Sequence, residues 1–238
     1  MRILVFQHAV SEHPGSLREV MARGGHTMHA VELDEGGVIP ALDGFEILLV
    51  MGGPMDVWEV EKHPWLLEEM AVIRDWVQAG RPYLGLCFGH QLLAQACGGH
   101  VGPMEAPEVG IARVPVAADP IFAGVPSLCT CFQWHGAEVK RLPAGAVVLA
   151  SSEACPIQAF RLGDAAYGLQ FHVELTHGTA QEWGALPEYA AALERVRGPG
   201  SLPEIQAEVA ASYAPLNAAA EAIFGNFLRI AAAALAAV

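Results

Sequence analysis

Across the first hundred residues the chain switches repeatedly between two periods, and this switching restricts the fold more than any other feature. Short apolar runs (RILVFQH, HTMHAVEL, FEILLVMGG, PYLGLCF) alternate with helical patterns (PGSLREVMARGG, PWLLEEMAVIRDWVQAG, HQLLAQACGG). Strands separated by helices become neighbours through crossover connections. The alternation therefore predicts an α/β fold: an open, mostly parallel, twisted sheet with helices on both faces. In the second helical pattern Leu66, Met70, Ile73 and Val77 fall at three-to-four spacing, while Glu68, Arg74 and Asp75 take other faces. That is the stripe of an amphipathic helix on a sheet, and Gly80 follows it as a stop signal.

From about residue 100 to 174 the pattern changes to strand-like runs (VGIARVPVA, LCTCFQWH, AVVLASS, CPIQAFRL, AAYGLQFHVE) separated by Pro, Gly and Asp turns. These predict an antiparallel or mixed extension of the same sheet. After Thr176 the chain turns helical, with a break at RGPGSLP, residues 197 to 203. The organisation expected is one domain over 1–238, with a core at 1–180 and a helical C-terminal extension at 181–238. The last apolar run, IFGNFLRIAAAALAAV, is interrupted by Asn226 and Arg229, and its alanines favour helix without favouring lipid. It reads as a docked helix and not as a membrane span.

Composition narrows the function classes. With 53% hydrophobic residues the chain can bury a full core, and 26 acidic against 13 basic residues disfavour attraction to nucleic acid or anionic lipid. The five cysteines, Cys87, Cys97, Cys129, Cys131 and Cys155, fit neither a disulfide framework nor a paired zinc motif. The N-terminal apolar run is too short for a secretory signal. A reducing, cytoplasmic setting is expected, with no metal and no cofactor.

Three segments carry chemistry. Gly85-Leu86-Cys87-Phe88-Gly89-His90-Gln91 follows a strand and opens a helix. A nucleophile on so tight a turn has a strained backbone, which small neighbours accommodate, and the helix N-terminus stabilises a thiolate and a developing oxyanion. Taken alone, the spacing equally suits a buried cysteine at a helix start. Gly168-Leu169-Gln170-Phe171-His172-Val173-Glu174 places His172 and Glu174 two apart, on one side of an extended segment. A carboxylate that orients an imidazole there supplies the base, and later the acid, for thiol attack on an amide. Met51-Gly52-Gly53-Pro54-Met55 ends another apolar strand. Pro54 has no N–H, so Gly53 is the expected backbone donor, paired with Phe88 in an oxyanion hole.

The ordered set GGPM, GLCFGHQLLA and GLQFHVE, with FQWHG at 132 to 136, resembles the class I (triad-type) glutamine amidotransferase family over most of residues 1–180. Within it the likeness is to stand-alone proteins similar to the amidotransferase domain of GMP synthetase. The resemblance implies a flavodoxin-like class I fold, with Cys87 as nucleophile, His172 and Glu174 completing the triad, and Gly53 and Phe88 forming the oxyanion hole. It also implies substrate contacts at Gln91, Trp134, His135 and Gly136. Two positions depart from the family: Val173 stands where proline is usual, and Ala137 where an acid follows H-G.

The reaction implied is hydrolysis of the γ-amide of glutamine through a γ-glutamyl thioester. The sequence shows no Walker-type or ATP-pyrophosphatase phosphate loop, so an amidotransferase of this kind needs a separate synthetase subunit. One alternative is a self-sufficient γ-glutamyl peptidase or hydrolase. Another is a non-catalytic regulatory subunit on the same scaffold.

Overall fold

The computed structural model describes residues 1–237. Strands β1 (Arg2–Gln7), β2 (Thr27–Glu32), β3 (Ile47–Val50) and β4 (Tyr83–Leu86) alternate with helices α1 (Leu17–Arg23), α2 (Trp65–Gln78) and α3 (Phe88–Ala96). The long strands β5 (His100–Pro115) and β6 (Leu128–Arg141) follow, then β7 (Val147–Ala150), β8 (Ala159–Leu162) and β9 (Ala166–Leu169). The chain closes with α4 (Thr179–Gly184), α5 (Pro187–Arg197) and α6 (Leu202–Ala236).

Seven strands form one sheet in the order β2-β1-β3-β4-β9-β8-β7. The pairs from β2 to β9 are parallel, and β8 and β7 add antiparallel. The first four positions follow the flavodoxin-like order. Alternate residues of one strand enter different cores: Leu49 and Met51 face α1 and α6, whereas Leu48 and Val50 face α2 and α3. Burial on both faces is why β3 reads as an unbroken apolar run.

Two expectations need correction. The runs at VGIARVPVA and LCTCFQWH do not extend the main sheet; β5 and β6 pair with each other as a separate two-stranded antiparallel sheet. Only AVVLASS, CPIQAFRL and AAYGLQFHVE supply the extension, as β7, β8 and β9. Two-stranded ribbons twist more strongly than wide sheets and bulges add to the twist; this one is 16 and 14 residues long and carries a register shift between Pro103 and Glu108. Isolated bridges tie it to the rest of the chain, Val116, just past β5, to Ala150 of β7, and Phe132 of β6 to His172, beyond β9. The buried stripe of α2 is also rotated from the one expected. It runs Leu66, Glu69, Ile73 and Trp76, leaving Met70 and Val77 half-buried.

The break at 197 to 203 falls between α5 and α6. Helix α6 is long and apolar enough to span a membrane by length and composition, yet it buries Ile205, Val209 and Leu216 in one core and Ile223, Phe224, Phe227 and Ala231 in another. Asn226, which interrupts its apolar run, is itself buried and donates from Nδ2 to the carbonyls of Ile121 and Ala123, 2.8 Å each.

Candidate active site

The three chemical segments leave the C-terminal ends of β3, β4 and β9, which are adjacent strands with β4 in the middle. Parallel pairing therefore brings residues 52–53, 87–88 and 172–174 together at one sheet edge, where open α/β sheets gather their functional groups.

Cys87 is the only non-glycine residue with positive φ among the described residues, at φ 50° and ψ −101°. Such a conformation costs about 1–3 kcal/mol and persists where its surroundings over-determine it. Here the Cys87 amide donates to Leu169 O at 2.7 Å, the Gly89 amide to Met51 O at 3.1 Å, and the Tyr83 hydroxyl to Gly89 O at 2.7 Å. The flanking glycines are required by close approach. A Cβ on Gly85 would stand 2.4 Å from the Gly89 carbonyl, and one on Gly89 would stand 2.2 Å from Val50 O. Phe88 opens α3, so its amide belongs to the first turn, which has no intrahelical acceptor.

His172 and Glu174 are enclosed in protein, and Nδ1 of the ring lies 2.6 Å from Glu174 Oε1. The second carboxylate oxygen accepts from the Val173 amide at 2.9 Å, a bond that proline at this position would forfeit. The Val173 side chain itself points into the core. Burial pushes the imidazole down, but the Glu174 carboxylate and the Cys87 sulfur outweigh it and hold His172 well above its ordinary value. Burial pushes the Glu174 carboxyl up, and the imidazole, together with the Glu174 and Val173 amides, overcomes it to hold the group low. Nε2 has no partner at normal hydrogen-bond geometry, although the Cys87 sulfur acts on the ring. The sulfur–imidazole contact is therefore looser than a formed hydrogen bond. His90, on the same turn, behaves oppositely: burial drives it down to about 3, so it stays neutral beside Phe160.

Cys87, Phe88, Gly53, Gln91, Trp134, His135 and Gly136 all border one cavity of about 320 Å³. Gln91 donates from Nε2 to Ala137 O and to Gln170 Oε1, 3.1 Å each, leaving Oε1 to meet a ligand. The Trp134 indole donates to Tyr189 O, and both His135 nitrogens are engaged, with Ala137 O and Gln133 Oε1. From this stretch the backbone is thus better placed than the side chains to contact a ligand. Cys129 and Cys131 are core residues whose thiols lie against backbone carbonyls.

Several residues here escaped the sequence reading. Gln170 Nε2 lies 3.6 Å from Cys87 Sγ. Glu188, Tyr189 and Arg195 of α5 line the cavity, as does Asp56. Glu12 is buried and receives the Tyr189 hydroxyl, and burial pushes its carboxyl up. His8 and Glu69 form a buried pair behind Gly52. The segment GLQFHVE signalled Gln170, but nothing local marked the others.

The geometry defines a class: an α/β protein with a cysteine on a strained strand-to-helix turn, backed by an imidazole–carboxylate pair. The sequence pattern of the glutamine amidotransferase class-I family matches residues 15–183, and the chain belongs to that family. It is 39% identical over 108 residues to one subunit of the glutamine-hydrolyzing GMP synthase of Pyrococcus abyssi, covering 44% of this chain and 57% of that one. It is 33% identical over 153 residues to the same subunit from Sulfolobus acidocaldarius, covering 63% and 78%. The chain spans 23% to 58% of the length of the first curated relatives it matches. Among solved structures, a glutamine amidotransferase from Thermotoga maritima superposes with TM-score 0.85 at 25% identity, covering 95% of this chain and 97% of that one. One from Methylobacillus flagellatus gives 0.79 at 27%, covering 96% and 94%.

Proposed function

We propose that the chain hydrolyses a γ-glutamyl carboxamide, with Cys87 as nucleophile, His172 as base and then acid, and Glu174 orienting and charging the imidazole. The Gly53 and Phe88 amides form the oxyanion hole. The observation that carries this reading is the convergence of a strained cysteine, a charge-paired imidazole and two backbone segments at the ends of three adjacent strands.

The Cys87 thiolate attacks the amide carbon, and the tetrahedral anion rests on the two amides. The C–N bond breaks as His172 delivers its proton to the departing nitrogen, leaving a γ-glutamyl thioester. Water then gives a proton to His172 and attacks the thioester, and the thiolate leaves. Gln91 Oε1 and the backbone at residues 134–136 hold the amino-acid head group. No cofactor or metal enters this scheme.

Glutamine is the first substrate to consider, since relatives named as glutamine-hydrolyzing share the family. Those relatives are named as one subunit of a synthase, which supports an ammonia-accepting synthetase as a separate partner. The chain is then one amidotransferase domain working in the cytoplasm. Cys87→Ser, nearly isosteric, is expected to lower amide hydrolysis roughly 10³-fold or more without changing the fold. Labelling by a glutamine-mimicking electrophile should vanish with it. Near-normal turnover would refute the nucleophile assignment, and a wild-type protein that neither labels nor hydrolyses would favour a non-catalytic role.

One observation favours a second reading, a γ-glutamyl peptidase. Ala137 removes the usual acid near the head group, while Asp56, Glu188 and Arg195 bring both charges to the cavity wall. A γ-glutamyl peptide, whose leaving amine carries its own carboxylate, would use Arg195. Measuring ammonia from glutamine against amine from γ-glutamyl dipeptides separates the two readings.

A further inference from the structure

We propose that His8, backed by Glu69, is a positioning residue that aims the Gly53 amide into the Cys87 cavity; this rests on the catalytic reading above. In a planar peptide the Gly52 carbonyl and the Gly53 N–H point in opposite directions, so whatever fixes the oxygen also fixes the donor. His8 Nδ1 lies 2.8 Å from Gly52 O. A carbonyl only accepts, so Nδ1 carries a proton. His8 Nε2 lies 2.9 Å from Glu69 Oε1, and both side chains are wholly buried. Burial pushes His8 down, and Glu69, the Gly52 carbonyl and Glu12 together more than reverse it.

The ring is packed between two aromatic side chains. Trp65 stacks on it at 5.7 Å and 13°, and Phe88 meets it edge-on at 4.9 Å and 84°. Phe88 bears the second donor of the oxyanion hole, so one imidazole braces both halves of it. The diglycine needs such a brace, because two glycines offer little resistance to rotation of the plane between them. Side chains could not do the job in place. A Cβ on Gly53 would lie 2.8 Å from His8 Cβ, and one on Gly52 would lie 2.5 Å from Glu12 Oε2. Without the His8 donor the buried Gly52 carbonyl loses its partner, and rotation to find another turns the Gly53 N–H away from the cavity.

The test contrasts two polar replacements. In His8→Asn the side-chain NH2 occupies the place of Nδ1 and still reaches Gly52 O, whereas in His8→Gln it lies one bond further, near Nε2. With glutamine and a γ-glutamyl dipeptide as substrates, His8→Gln is expected to lose about 100-fold in kcat, and His8→Asn no more than about tenfold, with KM held within about threefold in both. Alkylation of Cys87 by iodoacetamide forms no oxyanion and should keep its wild-type rate within about threefold in both variants. Equal kcat for the two variants, or alkylation falling in step with kcat, would overturn the positioning role. A wild-type protein inactive on both substrates would overturn the catalytic reading and this inference with it; an active one with unaffected variants would sink the inference alone.

Discussion

Replacing Gly89 by alanine tests the construction of the nucleophile turn, because helix propensity and packing give opposite signs. Within a helix, Gly→Ala is worth close to 1 kcal/mol of stabilisation. Here the new methyl would stand 2.2 Å from Val50 O and 2.8 Å from Val50 C, which are backbone atoms of a central strand and cannot swing aside. Contact must open to at least 3.0 Å, so the start of α3 has to back away from β3 by about 0.8 Å. Cys87 and the Phe88 amide move with it, while His172 on β9's extension and Gly53 on β3's do not. A misplacement near 1 Å costs on the order of 100-fold in rate, and overpacking costs about 1–3 kcal/mol. The expected variant is therefore folded, with an unfolding free energy, read from the urea transition, lowered by that amount and kcat down about 100-fold on glutamine or a γ-glutamyl dipeptide. A variant as stable as wild type or more so, turning over normally, would refute the account of why glycine occupies position 89.

Glu174→Gln should reduce kcat less than His172→Ala, since water can partly replace an orienting group but not the base; equal losses would argue against those roles. The buried pair also makes stability depend on pH. Glu174 is lowered from 4.5, so its contribution is present above that pH and lost as acid titrates through the folded value; His172 is raised from 6.5, so its contribution is full below that pH and lost as pH rises through the folded value. The stability gap between wild type and a His172→Gln/Glu174→Gln double variant, measured by urea unfolding, should peak between pH 4.5 and 6.5 and shrink on both sides. A flat difference would contradict the pairing. Arg195→Ala should raise KM for γ-glutamyl dipeptides and leave glutamine unchanged under the peptidase reading, whereas equal effects on both would remove Arg195 from leaving-group recognition.

By itself the sequence determined what depends on neighbours along the chain. The two periods set a parallel sheet with flanking helices, the glycines around Cys87 marked a turn too tight for side chains, and His172 and Glu174 sat at the spacing that lets them pair. Tertiary structure decided whatever depends on which surfaces meet. Glu69 sits beside Glu68 in a helix whose apolar residues suit either of two stripes, and only the face that α2 turns to the sheet buries it against His8. The ribbon of β5 and β6 looked like more sheet because its residues alternate as any strand does, and the partner each strand pairs with, not its local pattern, sets it apart. Helix α5 carries Glu188 and Arg195, roughly a hundred positions beyond Cys87 in sequence, to the cavity that Cys87 borders. Periodicity records which side of an element is buried, approximately, but it does not record the partner, and the groups around the diglycine and the cavity mouth are defined by their partners.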